Sequence, residues 1–294
     1  MIANTPFYSE RFPTERLEFW ASINRSLVYM DLEGILKKLE TIDEFSDESG
    51  LSLLEFRNLI ALKFICIGQP SHRNGNLVEY LDRLADFTRQ SARWQNEIFV
   101  IEYFFFLYYA ACREFEKAVE ALSRFGDEIF GERLAEWDKF NSVWDAFTLD
   151  HYAAHVYAAW GKYDEAIEIC DELIDLASND EWTDNTITTL SEVEGVEFSE
   201  IFMEFISELQ KMRERFKEEA EWRYLCITTL SIKPNEAGEF DGGTIYFNWL
   251  HDRADDPNPP DGEFDSWSYT LLHIWLPPVV LSEEELDFLR KQHE

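Results

Sequence analysis

The stretch HYAAHVYAAWGKYDEAIEICDELIDLA, residues 151–177, decides the fold. Small residues crowd its first half, Gly161 follows, and Ala166 returns in the second half. Two helices joined by a tight turn satisfy that order, because small side chains let helices approach closely and glycine permits the turn. Tyr163 then covers the end of the hairpin. About 48 residues earlier, YFFFLYYAACREFEKAVEALSRF, residues 103–125, repeats the arrangement. Its turn is expected near Arg113 and Glu114, and its second helix carries Ala118 and Leu122.

Residues 151–177 resemble a tetratricopeptide-type helical hairpin, with Ala153, Ala158, Gly161, Tyr163 and Ala166 at the matching positions. The earlier copy lacks the glycine, and a spacing near 48 exceeds the family's usual period of about 34 residues. The resemblance implies an all-α fold: an irregular helical bundle or a short helical-repeat solenoid, with a few short strands allowed in the C-terminal region.

Working outward, apolar residues at three- and four-residue spacing predict further amphipathic helices. One runs through Leu17, Trp20, Ile23, Leu27 and Met30, with Thr14 as its expected N-cap after Pro13. A second covers Leu32, Ile35, Leu36, Leu39 and Ile42. A third, from Ser52 to about Ile67, is apolar on more than one face and belongs at the centre of the core. After turn-forming residues 68–76, the pattern resumes through Leu77, Tyr80, Leu81, Leu84 and Phe87, then from Trp94 to Ala111.

Residues 179–195 shift to Ser, Thr, Asn and acids, and a helix is expected from Ser199 to about Trp222. Beyond Lys233, glycines and prolines break the chain, leaving TIYFNWL and WSYTLLHIWL as strands or buried helices. Ser282 with Glu285 forms a capping box, so a last helix is expected from Ser282 to Lys291. The expected organisation is a helical-hairpin domain at 1–178, an acidic loop at 179–198, and a mostly helical region at 199–294 packed on the first, with a single domain as the alternative.

The chain has material for a core: 46% of its 294 residues are hydrophobic, with 24 Phe, 12 Tyr and 10 Trp. Cys66, Cys112, Cys170 and Cys226 stand far apart, without metal-ligand spacing, and read as buried free thiols. No basic-then-apolar leader opens the sequence, and the longest apolar run is too short to span a bilayer. A cytoplasmic protein with no membrane association is therefore expected.

The familiar motifs of phosphate binding, nucleophilic hydrolysis and metalloprotease chemistry are missing, so no enzymatic role and no cofactor is expected. His151 and His155 stand at i and i+4 beside Asp150, but their place in a packed hairpin favours a structural role over metal binding. Asp261, Glu263 and Asp265 alternate like a calcium loop yet lack its glycine at the sixth position and its glutamate at the twelfth. A solvated loop explains them.

Charge is the dominant property. The 26 basic and 59 acidic residues give a formal charge of −33, which repels phosphates and attracts basic proteins. Direct nucleic-acid binding is excluded as an expectation. Between Tyr163 and Gln210 there are 15 acids and no Lys or Arg. Such concentration costs stability through self-repulsion, so a docking face for a basic partner is expected there, with aromatic anchors such as Trp182. The candidate partner-binding residues are Trp182 as an aromatic anchor and, on charge alone, Asp180, Glu181, Asp184, Glu192, Glu194, Glu197 and Glu200.

In overall type, combining a helical scaffold, strong acidity and no catalytic motif, the chain resembles helical immunity proteins of bacterial polymorphic-toxin systems. That resemblance implies an inhibitor that occludes the active site of a cognate toxin, here a basic, nuclease-type toxin domain. The other reading is a tetratricopeptide-like adaptor or chaperone that binds a peptide in a helical groove including Tyr152, Tyr157 and Trp160.

Overall fold

A computed structural model describes residues 12–67, 75–130, 139–178, 198–218, 222–231, 234, 238–253 and 266–292. Among them are ten α-helices and three strands, which form one sheet with the strands side by side in sequence order. The fold is thus mostly α-helical, as the periodicity implies. The chain divides into two compact units, one of Met1–Gln95, Ile227–Asn248 and Ser268–Glu294, the other of Asn96–Cys226 and Trp249–Trp267. Residues 227–248 and 268–294 group with the first helices, so the units do not follow the order of the sequence.

In the first unit, a 3-10 turn at Thr14–Arg16 leads into α1 (Leu17–Val28), followed by α2 (Leu32–Leu39), α3 (Leu53–Ile67) and α4 (Gly75–Gln90). Thr14 does not serve as a side-chain cap; the turn is closed by Arg16 N–H donating to the Pro13 carbonyl at 2.9 Å. The Asp31 carboxylate caps α2 by accepting from Gly34 N–H at 3.0 Å. Helix α3 is central, with Phe56, Leu59, Ile60, Ala61 and Leu62 fully buried. The Trp94 ring stacks on Phe56 at 4.3 Å between centroids.

Because α3 is buried on several faces, its polar residues need partners. Glu55 accepts from Arg16 Nε at 2.6 Å, Arg16 Nη2 at 2.7 Å, Trp20 Nε1 at 2.7 Å and the Ser52 N–H at 2.7 Å. The Ser52 hydroxyl accepts from Glu55 N–H at 3.2 Å, which completes a capping box at the start of α3. Burial alone would raise the Glu55 carboxyl, but Arg16, Ser52 and Trp20 together hold it below the ordinary carboxylate range. Lys63 pairs with Glu44, both buried, and Asn58 donates to the Trp275 carbonyl.

Strands β2 (Glu239–Arg253) and β3 (Ser266–Val280) are the two aromatic runs that the sequence left open between strand and helix. They run antiparallel: Gly238 accepts from Leu281 N–H, while Gly242, further along, lies against Ile274 and Leu276. A side chain at Gly242 would collide with the Ile274 carbonyl, which is 1.7 Å from an ideal Cβ, so only glycine fits there. Strand β1 (Trp222–Ser231) begins where the preceding helix was expected to end. Helix α10 (Glu283–Gln292) opens with the foreseen capping box, Ser282 N–H donating to Glu285 at 2.7 Å.

The second unit is built of helical hairpins. Helix α5 (Ile98–Ala111) packs on α6 (Phe115–Phe130), and α7 (Lys139–Trp160) packs on α8 (Tyr163–Ala177), with α9 (Phe198–Lys217) against α8. The two hairpin turns are alike. Gly161 has φ +82° and Arg113 has φ +61°, so arginine holds the left-handed conformation that its counterpart gives to glycine. In each, the next residue donates back over the turn: Glu114 N–H to the Tyr109 carbonyl at 2.8 Å, Lys162 N–H to Tyr157 at 2.9 Å. The α1–α2 turn repeats the device at Met30, φ +51°, with Asp31 N–H donating to Ser26 at 3.0 Å.

Candidate functional site

Of the acid-only segment, helix α8 carries one described part and the start of α9 the other. Ala166, Cys170 and Leu173, spaced by four and three residues, form its buried face. That spacing sends Asp164, Glu165, Glu168, Glu172 and Asp175 outward, and all five are exposed. Asp164 and Glu165 occupy the first turn, where the helix dipole favours negative charge, but Asp175 stands in the last turn, where it does not. Asp171, at the flank, pairs with Arg213 of α9. Among the described residues, none of the five outward acids has an ion-pair partner.

The acidity of this helix becomes legible beside its counterpart. Aligned by their turns, FEKAVEALSRFGD (115–127) and YDEAIEICDELID (163–175) match position for position. Acids recur at Glu116 and Asp164, Glu120 and Glu168, Asp127 and Asp175. The two cations of the first copy change sign: Lys117 becomes Glu165, and Arg124 becomes Glu172. In the first hairpin both cations are engaged, Lys117 with Glu114 at 2.6 Å and Arg124 with Glu102 at 2.8 Å. The second hairpin keeps the scaffold and gives up the compensation.

Of the residues expected to bind a partner, Asp180, Glu181, Trp182, Asp184, Glu192, Glu194 and Glu197 lie outside the described residues. So does most of the expected acidic loop at 179–198. Glu200 falls in the first turn of α9. The acids that the structure assembles on one face are the α8 group, which lies in the acid-only segment but was not singled out. Their signal was available: acids at i, i+4 and i+8 opposite Ala166 and Cys170.

Of the other candidate residues, Asp261, Glu263 and Asp265 lie outside the described residues, and the two histidines are core side chains. His151 and His155 are 1% and 0% exposed, with ring centroids 4.9 Å apart. Burial pushes His151 down to about 3, so the imidazole is neutral over the ordinary pH range. Among the described residues, no group of three or more His, Cys, Asp or Glu is placed to hold a metal ion. Cys66 and Cys112 are half-buried free thiols and Cys170 a buried one. Burial raises the Cys66 and Cys170 thiols to about 12, well above reactive values.

The aromatic groove divides. Tyr152 is 4% exposed and packs on Tyr103 and Phe106, so it belongs to the core and cannot line a groove. Tyr157 and Trp160 are half-buried and stack, with the Lys162 ammonium 3.7 Å from the Trp160 ring centre. Among the described residues, no helix is long and apolar enough to cross a membrane. No protein-family model, curated protein or solved structure matches this chain.

Proposed function

We propose that this protein binds another protein through its acidic face, and that it is an immunity-type inhibitor of a cognate basic toxin of nuclease type. The observation that carries the reading is the outward acidic stripe of α8, where two cations of the sister helix are replaced by acids. Self-repulsion of this kind lowers stability, and an external basic surface relieves it. A nuclease groove built to hold phosphates is such a surface, so an acidic helix laid across it would exclude the nucleic acid. No catalytic step is assigned to the chain itself.

The test is co-expression with the basic nuclease domain encoded beside it. The chain should restore growth, and binding of the purified pair should weaken steeply as salt rises. Reversal of Glu165, Glu168, Glu172 and Asp175 to Lys should abolish protection. Unchanged affinity in that variant would remove α8 from the interface.

The half-exposed Tyr157–Trp160 pair favours a second reading, a tetratricopeptide-like adaptor that holds a peptide against the hairpin ends. Binding through those rings would depend little on salt and would be lost on substituting Trp160 by Ala.

A further inference from the structure

Among the described residues, seven large apolar side chains are left exposed, and three of them gather on one face of the first unit: Tyr29 at 47%, Met30 at 39% and Val280 at 65%. Helix α10 docks there on the end of α1. Arg25 donates to Glu285 at 3.1 Å and to the Val280 carbonyl at 3.4 Å, and one turn later the Tyr29 ring packs on Phe288 at 5.3 Å. Val280 therefore flanks the α1–α10 seam, and it alone turns outward, since its chain neighbours Val279 and Leu281 are buried. Met30 adds a second oddity. Its φ of +51° is disfavoured for any residue with a Cβ, yet its side chain gains little burial in return. An apolar residue that is both strained and exposed does nothing for the free chain.

The rim of this face is acidic. Glu283 and Glu284 are exposed in the first turn of α10, and among the described residues neither has an ion-pair partner. The nearby cations Arg25 and Arg290 are committed to Glu285 and Asp287, and Lys291 lies a turn beyond Phe288, away from these acids. We infer that this face docks a basic amphipathic segment of a partner protein. Tyr29, Met30, Val280 and Phe288 take its apolar side, and Glu283 and Glu284 take its cations, an apolar centre with a charged rim. A second copy of the chain fits less well, because each copy carries a formal charge of −33 and the two repel. The surface goes beyond the acidic stripe: α8 belongs to the other compact unit, so either surface can fail without the other.

The probe is a fluorescent peptide of about 14 leucines and lysines arranged at helical spacing, compared with a scrambled isomer of equal charge. Both are titrated with the full chain at about 0.15 M salt. The amphipathic isomer should bind about tenfold tighter than the scrambled one. Met30→Gly combined with Val280→Ser should bring the two isomers within about twofold of each other. Met30→Gly alone should raise the urea midpoint, since glycine adopts that φ freely, so its loss of binding cannot come from unfolding. Reversal of Glu165, Glu168, Glu172 and Asp175 to Lys should weaken both isomers alike and keep their ratio, which separates this face from the α8 stripe. Equal affinity for the two isomers in the unsubstituted chain, or a ratio that survives the double substitution, overturns the proposal. So does sedimentation that shows a dimer dissociated by the same substitutions, because a second copy would then cover the face.

Discussion

The side-chain amide of Asn24 donates to the carbonyl oxygen of Phe240 at 2.8 Å, across 216 residues of sequence, and the same nitrogen reaches the carbonyl of Pro277 at 3.0 Å. A side chain from α1 thus serves two carbonyls of the sheet. Asn24 is fully buried, and no water can replace it without a cavity. Replacing it by Ala should cost about 2–4 kcal/mol, the desolvation penalty of two unpaired carbonyls, read as a lower urea midpoint. Asn24→Asp should cost at least as much, because a carboxylate cannot donate to either carbonyl. A loss under about 0.5 kcal/mol would mean the carbonyls find other donors.

Lys63 and Glu44 form a buried ion pair, and the Lys63 ammonium also lies 5.4 Å from the centre of the Tyr80 ring. Removing one charge strands the other. Lys63→Met should destabilise by about 3–5 kcal/mol, whereas Lys63→Met combined with Glu44→Leu should recover most of that loss. A double-mutant cycle by chemical denaturation gives the coupling; additive losses would show that the pair does not act as a unit.

The acid limb of the stability profile should begin with a histidine. The folded pKa of His151 is depressed to about 3 from 6.5, so its contribution is complete above 6.5 and is lost as pH falls, the unfolded chain taking up a proton that the native one refuses. Each pH unit in that window costs about 1.4 kcal/mol. Between pH 6.5 and 5, His151→Gln should therefore reduce the loss by about 2 kcal/mol. Glu55, whose folded pKa is lowered, adds a second loss only below about 4.5. Raised Asp150 acts in the opposite sense near that lower range. An unchanged slope between pH 6.5 and 5 in His151→Gln would place the sensitivity elsewhere.

The matched turns give a pair of predictions of opposite sign. Arg113 holds a left-handed conformation that costs an ordinary residue about 1 kcal/mol, so Arg113→Gly should raise stability by about 0.5–1 kcal/mol. At Gly161 an added Cβ would meet nothing within 4 Å, so Gly161→Ala should cost about 1 kcal/mol from conformation alone. Melting temperatures of the two variants, compared with the unsubstituted chain, should move in opposite directions. A common direction would show that turn conformation is not the controlling variable.

Much of the fold was legible because its signals are local. The periodicity of Leu53–Ile67, apolar on more than one face, marked α3 as central, and the serine–glutamate pair at Ser282 and Glu285 marked the start of α10. The helix predicted to run to Trp222 stops at Lys217, where β1 soon follows: WRYLCITTLS is too short and too mixed to separate a strand from a helix end by pattern. Thr14 looked like a cap, yet a 3-10 turn places the helix start three residues later. The candidate site was legible as a segment and not as a surface. Counting acids from 163 to 210 weights them equally, whereas the burial of Ala166, Cys170 and Leu173 selects those that share one face of α8.

By itself the sequence determined the helical class, the duplicated hairpin and the sign of the charge, since each follows from residue spacing and composition within a few turns of chain. Only the tertiary structure decided that β2 and β3 are strands tied to α1 and α3, because those carbonyls are satisfied by Asn24 and Asn58 from more than two hundred residues away. It also decided that the buried Glu102 meets Arg124 across the first hairpin. Which charges face each other depends on the register between helices, and that register is set by the packing of side chains, not by their order along the chain.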